Sequence, residues 1–166
     1  MRVFKPLLSE VIDSAEEMRP VFYNIEIKST PDGDGVFHPA PEEFARRVIT
    51  VIIEKGIADR TIIQSFDLRA LQIVKEKYPD VKLALLVENH DTPEKIISAL
   101  GFFPDIYSPD FTLLNEELIR YAHKNEMRVI PWTVNKKEDM SAMMRMGVNG
   151  FITDYPDRAL EVVNGN

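Results

Sequence analysis

The sequence predicts an α/β chain of repeating strand–helix units around a parallel sheet, and three observations predict it. Short apolar runs of strand character alternate with longer stretches of helical period along the chain. Helix boundaries carry their own chemistry, with capping residues and prolines at the starts and glycines just past the ends. No low-complexity segment or long Gly/Ser linker interrupts this alternation, so residues 1–166 read as one domain, long enough to bury one good core.

Six strands are expected, near Tyr23–Lys28, Thr61–Phe66, Lys82–Leu86, Asp105–Ser108, Arg128–Val134 and Gly150–Thr153. Helices are expected between them near Pro41–Glu54, Leu68–Lys77, Pro93–Leu100, Glu116–Lys124 and Lys136–Met146, with flanking helices near Leu7–Glu17 and Pro156–Val163. Asp67 opens the helix after Phe66, Thr92-Pro93 supplies a cap followed by proline at the first helical position, and Asn135 precedes Glu138 at capping-box spacing. Gly56, Gly101 and Gly147 stand where a left-handed residue ends a helix. Such units can close into an eight-stranded barrel or stay open as a doubly wound sheet, and periodicity does not choose between them. No G-x-G-x-x-G or G-x-x-x-x-G-K turn joins a strand to its helix, which takes weight from nucleotide-binding open sheets and gives it to a barrel.

Composition narrows the function. A net charge of −7 argues against a sequence-independent nucleic-acid binder, which needs a basic face. The longest apolar runs, such as Ala84-Leu85-Leu86-Val87, are far too short to span a bilayer, and the N-terminus shows no apolar stretch bounded by a cleavage site. The absence of cysteine removes disulfides, thiol catalysis and thiolate metal sites without indicating a compartment.

The most informative stretch is Tyr23–Lys28. Strand alternation puts Asn24, Glu26 and Lys28 on one face and Tyr23, Ile25 and Ile27 on the other. In a barrel the apolar set packs under the helices, which directs a carboxylate and an ammonium inward near the C-terminal end of the strand. Ionised groups there need a partner, so Glu26 and Lys28 either form a structural ion pair or serve a metal or ligand. The three histidines offer less. His123 lies in the polar helix Arg120–Lys124 and reads as a surface residue. His90 follows the third strand, on the end of a barrel that bears active sites, although turn chemistry also explains His90-Asp91-Thr92-Pro93; His38 lies in the loop from Pro31 to Pro41. Thr30-x-Asp32-x-Asp34-Gly35 has the first half of a calcium-loop pattern, but its twelfth position is Pro41 rather than glutamate, so a turn is expected. Neither Gly-x-Ser-x-Gly nor His-Glu-x-x-His occurs.

Four segments in order, Asn24-Ile25-Glu26-Ile27-Lys28, Gln64-Ser65-Phe66, Pro131-Trp132-Thr133-Val134-Asn135 and Gly147–Pro156, resemble those of the glycerophosphodiester phosphodiesterase family and together cover nearly the whole chain. The resemblance implies a TIM-type (β/α)₈ barrel, here incomplete with about six strands, and metal-dependent hydrolysis of glycerophosphodiesters to glycerol 3-phosphate and an alcohol. It implies Glu26 as a ligand of a divalent cation, Mg²⁺ or Ca²⁺, Lys28 as the cation on the substrate phosphate, and Trp132 and Phe66 as pocket walls, with core packing as the alternative for both rings. Asn135 and Asp154 are weaker candidates, the first as a helix cap and the second as preparation for the helix at Pro156. Where the family often has aspartate in Gly-Val-Asp-Gly, this chain has Asn149, at an expected turn. The family's His-Arg-Gly, Glu-x-Asp and His-Asp motifs precede the stretch resembled by Pro6–Val11 and are not found here, so no residue is assigned as the catalytic acid or base and the 166 residues alone are expected to be inactive. A non-catalytic anion-binding or assembly module is the alternative. Six strands would leave barrel edges open, to be covered by the N-terminal helix, a second copy of the chain or a further segment.

Overall fold

The computed structural model describes residues 5–165, among which there are five parallel strands and seven α-helices. The chain falls into two compact units, one ending at Lys82 and the other beginning at Leu83.

The first unit opens with helix α1 (Leu8–Met18), which buries Ile12. Its Glu16 accepts hydrogen bonds from the Tyr23 hydroxyl (2.6 Å) and the Arg60 guanidinium (2.9 Å), and Arg60 also donates to the Val21 carbonyl (2.7 Å). These bonds tie α1 to the beginnings of strands β1 (Tyr23–Glu26) and β2 (Thr61–Ser65), which pair in parallel from Tyr23 opposite Thr61 to Glu26 opposite Gln64. Helix α2 (Pro41–Glu54) starts with proline at its first position, where the missing N–H costs nothing, and buries Ala45, Val48, Ile49 and Ile52 at spacings of three and four. Helix α3 (Leu68–Lys77) begins at Asp67, whose side chain accepts the Arg69 N–H as expected, and packs against α2. The outer strand face is closed, with Ile27 and Ile63 fully buried, while Asn24, Glu26 and Lys28 are exposed.

The second unit runs through β3 (Lys82–Val87), α4 (Pro93–Leu100), β4 (Ile106–Pro109), α5 (Glu116–Lys124), β5 (Arg128–Val129), α6 (Lys137–Met146) and α7 (Pro156–Asn164). Leu85 stands opposite Tyr107 and Tyr107 opposite Val129, so these three share one sheet face, and each is buried to 1% exposure or less. Thr92 and Asn115 cap α4 and α5, while Gly101 and Gly147 end α4 and α6 in the left-handed conformation (φ 84° and 87°) that costs a glycine nothing. Helices α6 and α7 pack together around Val134, Met140 and Met143. Among the described residues no helix is long and apolar enough to cross a membrane.

The first strand stops at Glu26 rather than Lys28 and the fifth at Val129 rather than Val134, and two further expectations fail here. The sixth strand, Gly150–Thr153, is not a strand. Ile152 does exchange backbone bonds with the preceding segment, donating to Pro131 and accepting from Val134 (both 2.8 Å). The ladder stops there because the Asn149 side chain, not a strand carbonyl, accepts the Val129 N–H (2.7 Å), while the Asn149 N–H returns to the Val129 carbonyl (2.9 Å). Asn149 is thus a bracket on β5. The second failure is the capping box at Asn135: α6 starts one residue later than expected, behind Lys136, with no side-chain cap. Asn135 turns instead to the following loop, where it accepts from the Thr153 hydroxyl (3.1 Å) and the Asp154 N–H (3.0 Å) and donates to the Asp154 carboxylate (2.9 Å).

Candidate active site

In the first unit, the polar face of β1 carries Asn24 and Glu26, Lys28 follows two residues past the end of the strand, and the same face of β2 carries Gln64. Asn24 donates across the pair to Gln64 (2.7 Å), a diagonal contact that uses both amides. The internal Glu26–Lys28 ion pair, one of the two readings of the sequence, does not form, and neither side chain has a hydrogen-bond or ion-pair partner among the described residues. Both are exposed, where a pair of this kind gains little over hydration. A carboxylate at the end of the strand and an ammonium two residues on are therefore without partners among the described residues. Phe66, one step beyond the end of β2 and half-buried, lies on the same side by alternation.

The backbone under Lys28 is fixed from both sides. The Ile27 carbonyl accepts from the buried Ser65 hydroxyl (2.6 Å), and Ser29, also buried, donates to Asp67 (2.8 Å). Arg69 grips Asp67 through two nitrogens (3.0 and 2.7 Å) and reaches Asp34 in the loop after β1 (2.7 Å). Asp67 was legible in the sequence only as a helix cap; its pairing with Ser29, 38 residues away, had no local signal. Burial pushes the Asp67 carboxyl up, but the hydrogen bonds from Arg69 and Ser29 and the Arg69 charge outweigh it, so the group titrates below the ordinary carboxylate value. The same two carboxylates raise the Arg69 guanidinium above its usual value.

The loop from Pro31 to Pro41 is a turn, as its twelfth position indicated, and Asp34 pairs with Arg69. His38 is part of this scaffold. Its Nε2 accepts the Thr30 N–H (3.0 Å), which assigns the proton to Nδ1, donating to the Pro39 carbonyl (2.9 Å), and the ring stacks on Phe44. A methyl group added at Gly33 would sit 2.3 Å from His38 Nε2. Gly33→Ala is expected to displace the ring and lower stability by about 1–2 kcal/mol, read as a reduced urea midpoint; an unchanged midpoint would show that His38 does not hold this loop.

In the second unit, Trp132 is half-buried and hydrogen-bonded to β4 and the turn after it. Its indole N–H donates to the Ser108 carbonyl (2.8 Å), its backbone N–H to Pro109 (3.0 Å), and its carbonyl accepts from Phe111 (2.9 Å). The indole is thus held by a hydrogen bond as well as by packing. Asp154 is exposed and bound to Asn135, while His123 bonds Asn149 (3.0 Å) at the surface, as its polar helix indicated. His90 is exposed at the end of β3 and faces a cavity beside α4. Among the described residues no group of three or more His, Cys, Asp or Glu side chains could hold a metal. Glu26 supplies one carboxylate, whereas a hard cation takes six or more oxygens, so these residues do not by themselves complete a cation site.

The model of the glycerophosphoryl diester phosphodiesterase family matches residues 3–158. This chain belongs to that family. It is 34% identical over 158 residues to the glycerophosphodiester phosphodiesterase of Caldanaerobacter subterraneus subsp. tengcongensis and 30% identical over 162 residues to that of Bacillus altitudinis. Each alignment covers 95% of this chain but only 61% and 62% of the relative, so the chain spans about three-fifths of their length. Among solved structures, a glycerophosphodiester phosphodiesterase from Parabacteroides distasonis superposes with a TM-score of 0.79 at 21% identity, over 96% of this chain and 64% of that one. An Oleispira antarctica phosphodiesterase, solved in complex with the product sn-glycerol-3-phosphate, gives 0.80 at 16% identity, over 96% and 61%. The fold class is therefore that of the family's TIM-type barrels, represented here by five strands rather than the six expected.

Proposed function

We propose that this chain carries part of the active site of a metal-dependent phosphodiesterase that uses water to split glycerophosphodiesters into glycerol 3-phosphate and an alcohol. Lys28 binds the substrate phosphate, Glu26 is one ligand of a divalent cation, Mg²⁺ or Ca²⁺, and Trp132 and Phe66 form pocket walls. The observation that carries this reading is that Glu26 at the end of β1 and Lys28 just beyond it are exposed and without partners among the described residues, on an anchored backbone, in a member of this family. An ammonium on an anchored backbone offsets charge that develops on a phosphoryl oxygen without reorganising first. The relatives' names and the bound glycerol phosphate of the Oleispira protein support the substrate class.

Diester cleavage also needs groups to accept and deliver protons. His38 and His123 are committed to hydrogen bonds within the fold, and His90 lines a cavity at the start of α4 in the second unit. The 166 residues alone are therefore expected to release no glycerol 3-phosphate from glycerophosphocholine above a blank, with either Mg²⁺ or Ca²⁺. Release that disappears in Glu26→Ala would mean that a residue of this segment performs the proton transfers. The incomplete carboxylate set favours a second reading, an anion-binding module without chemistry. It predicts that glycerol 3-phosphate binds through Lys28 while a protein extended to the relatives' length still shows no turnover.

A further inference from the structure

The second unit contains a cavity of about 310 Å³ between the starts of α4 and α5. Strand register places it on the opposite side of the sheet from Trp132. Val87, Tyr107 and Pro109 line it and share one face, while Ser108 and Asp110 alternate to the other, and Trp132 stands opposite Asp110. The Tyr107 side chain is only 1% exposed, lines this cavity and has no hydrogen-bond partner among the described residues. Among the described residues no buried side-chain oxygen lacks a partner, so the ring is buried while its hydroxyl opens into the cavity, free to bond whatever enters.

The rest of the lining defines what that is. Three carboxylates face the cavity, from Asp91, Glu94 and Glu117, and no lysine or arginine does. Asp91 is neutralised by Lys95 (2.7 Å), whereas Glu94 and Glu117 have no ion-pair partner among the described residues. The negative charge of Glu94 reaches both phenols. Burial first, and then this charge, push Tyr107 up to about 12 and raise Tyr121, so both rings stay neutral and present electron-rich faces and hydroxyl dipoles. First-turn acids also complement helix dipoles, which accounts for Glu94 and Glu117 individually but not for an unpartnered phenol between them. A bare metal ion is a poor fit, because the described residues offer no metal-binding group and Val87, Pro109 and Leu118 make part of the wall apolar.

We infer that this cavity binds a small organic cation, an amine with a short apolar body, whose ammonium meets the Glu94 carboxylate and the Tyr107 hydroxyl while its carbons lie against Val87 and Leu118. This goes beyond the phosphodiesterase reading and does not depend on it. The test is calorimetric titration of the chain with n-butylammonium chloride, with n-butanol as the neutral analogue. Saturable binding is expected with Kd of roughly 1 mM, weakened about tenfold in Glu94→Gln and about fivefold in Tyr107→Phe, with n-butanol binding more weakly still. Glu94 is exposed, so its variant keeps the test decisive even if Tyr107→Phe fails to fold. Three results would each overturn the inference: no saturation by about 50 mM, far above the affinity expected of so small a ligand; n-butanol binding as tightly as the amine; or affinity lost in Glu26→Gln but kept in Glu94→Gln, which would move the ligand to the β1 face.

Discussion

Asp67→Ala is expected to lower the stability of the chain by about 3 kcal/mol, read as a fall in the urea midpoint at unchanged slope. The side chain is 5% exposed and does three jobs at once. It caps α3 through the Arg69 N–H, holds the Ser29 hydroxyl, and receives the Arg69 guanidinium. Alanine removes all three and leaves Ser29 buried without its acceptor, a loss large against the marginal stability of a typical domain. The effect depends on pH in a defined direction. The folded-state value of Asp67 is depressed, so its contribution is fully present above the ordinary carboxylate value near 3.8 and is lost as pH falls through the lower folded value. Urea melts of both proteins from neutral pH downward should show a constant gap that closes below about pH 4. A gap that stays constant to about pH 2 would mean that packing, not the ionised carboxylate, carries the effect.

The helices were legible because each depends on neighbours a few residues away. Pro41–Glu54, Leu68–Lys77, Pro93–Leu100 and Glu116–Lys124 stand as the periodicity and end signals indicate, since a buried stripe, an N-cap and a terminal glycine are all encoded within one segment. The polar face of β1 was legible for the same reason: period-two alternation assigns Asn24 and Glu26 to one side without knowledge of the rest of the fold, although the strand ends before Lys28. What failed depended on side chains replacing backbone at a distance. Asn149 takes the Val129 N–H and so cuts short the sixth strand, and Asn135 leaves its helix start for the loop at Thr153–Asp154. An asparagine side chain carries the donor and acceptor of a peptide group, and spacing alone does not say which backbone it will imitate. The Asp34–Arg69–Asp67–Ser29 network escaped for the same reason: its members are 35 and 38 residues apart and are joined only by the pairing of β1 with β2. The resemblance proposes which side chains react, and the structure adds what holds them.

That support is why Lys28 should act on function without acting on stability. Its side chain is exposed and makes no ion pair, while the residues on either side are buried and hydrogen-bonded through Ser65 and Asp67. Lys28→Met keeps the length of the stem and removes the charge, so the unfolding midpoint is expected to stay where it is. In an enzyme of the relatives' full length, kcat/KM for glycerophosphocholine should fall on the order of 10²-fold, the usual cost of losing one fixed donor to a developing oxyanion. Lys28→Arg retains charge but replaces a compact ammonium with a planar fork, so activity should return only in part. The two alternatives for β1 separate on this experiment. If Lys28 serves the substrate phosphate, turnover collapses in a protein whose stability has not changed. If it is simply a solvated residue beyond the end of the strand, neither quantity moves. The Glu26–Lys28 side of β1 would then be a surface, and the phosphate site would have to be sought elsewhere.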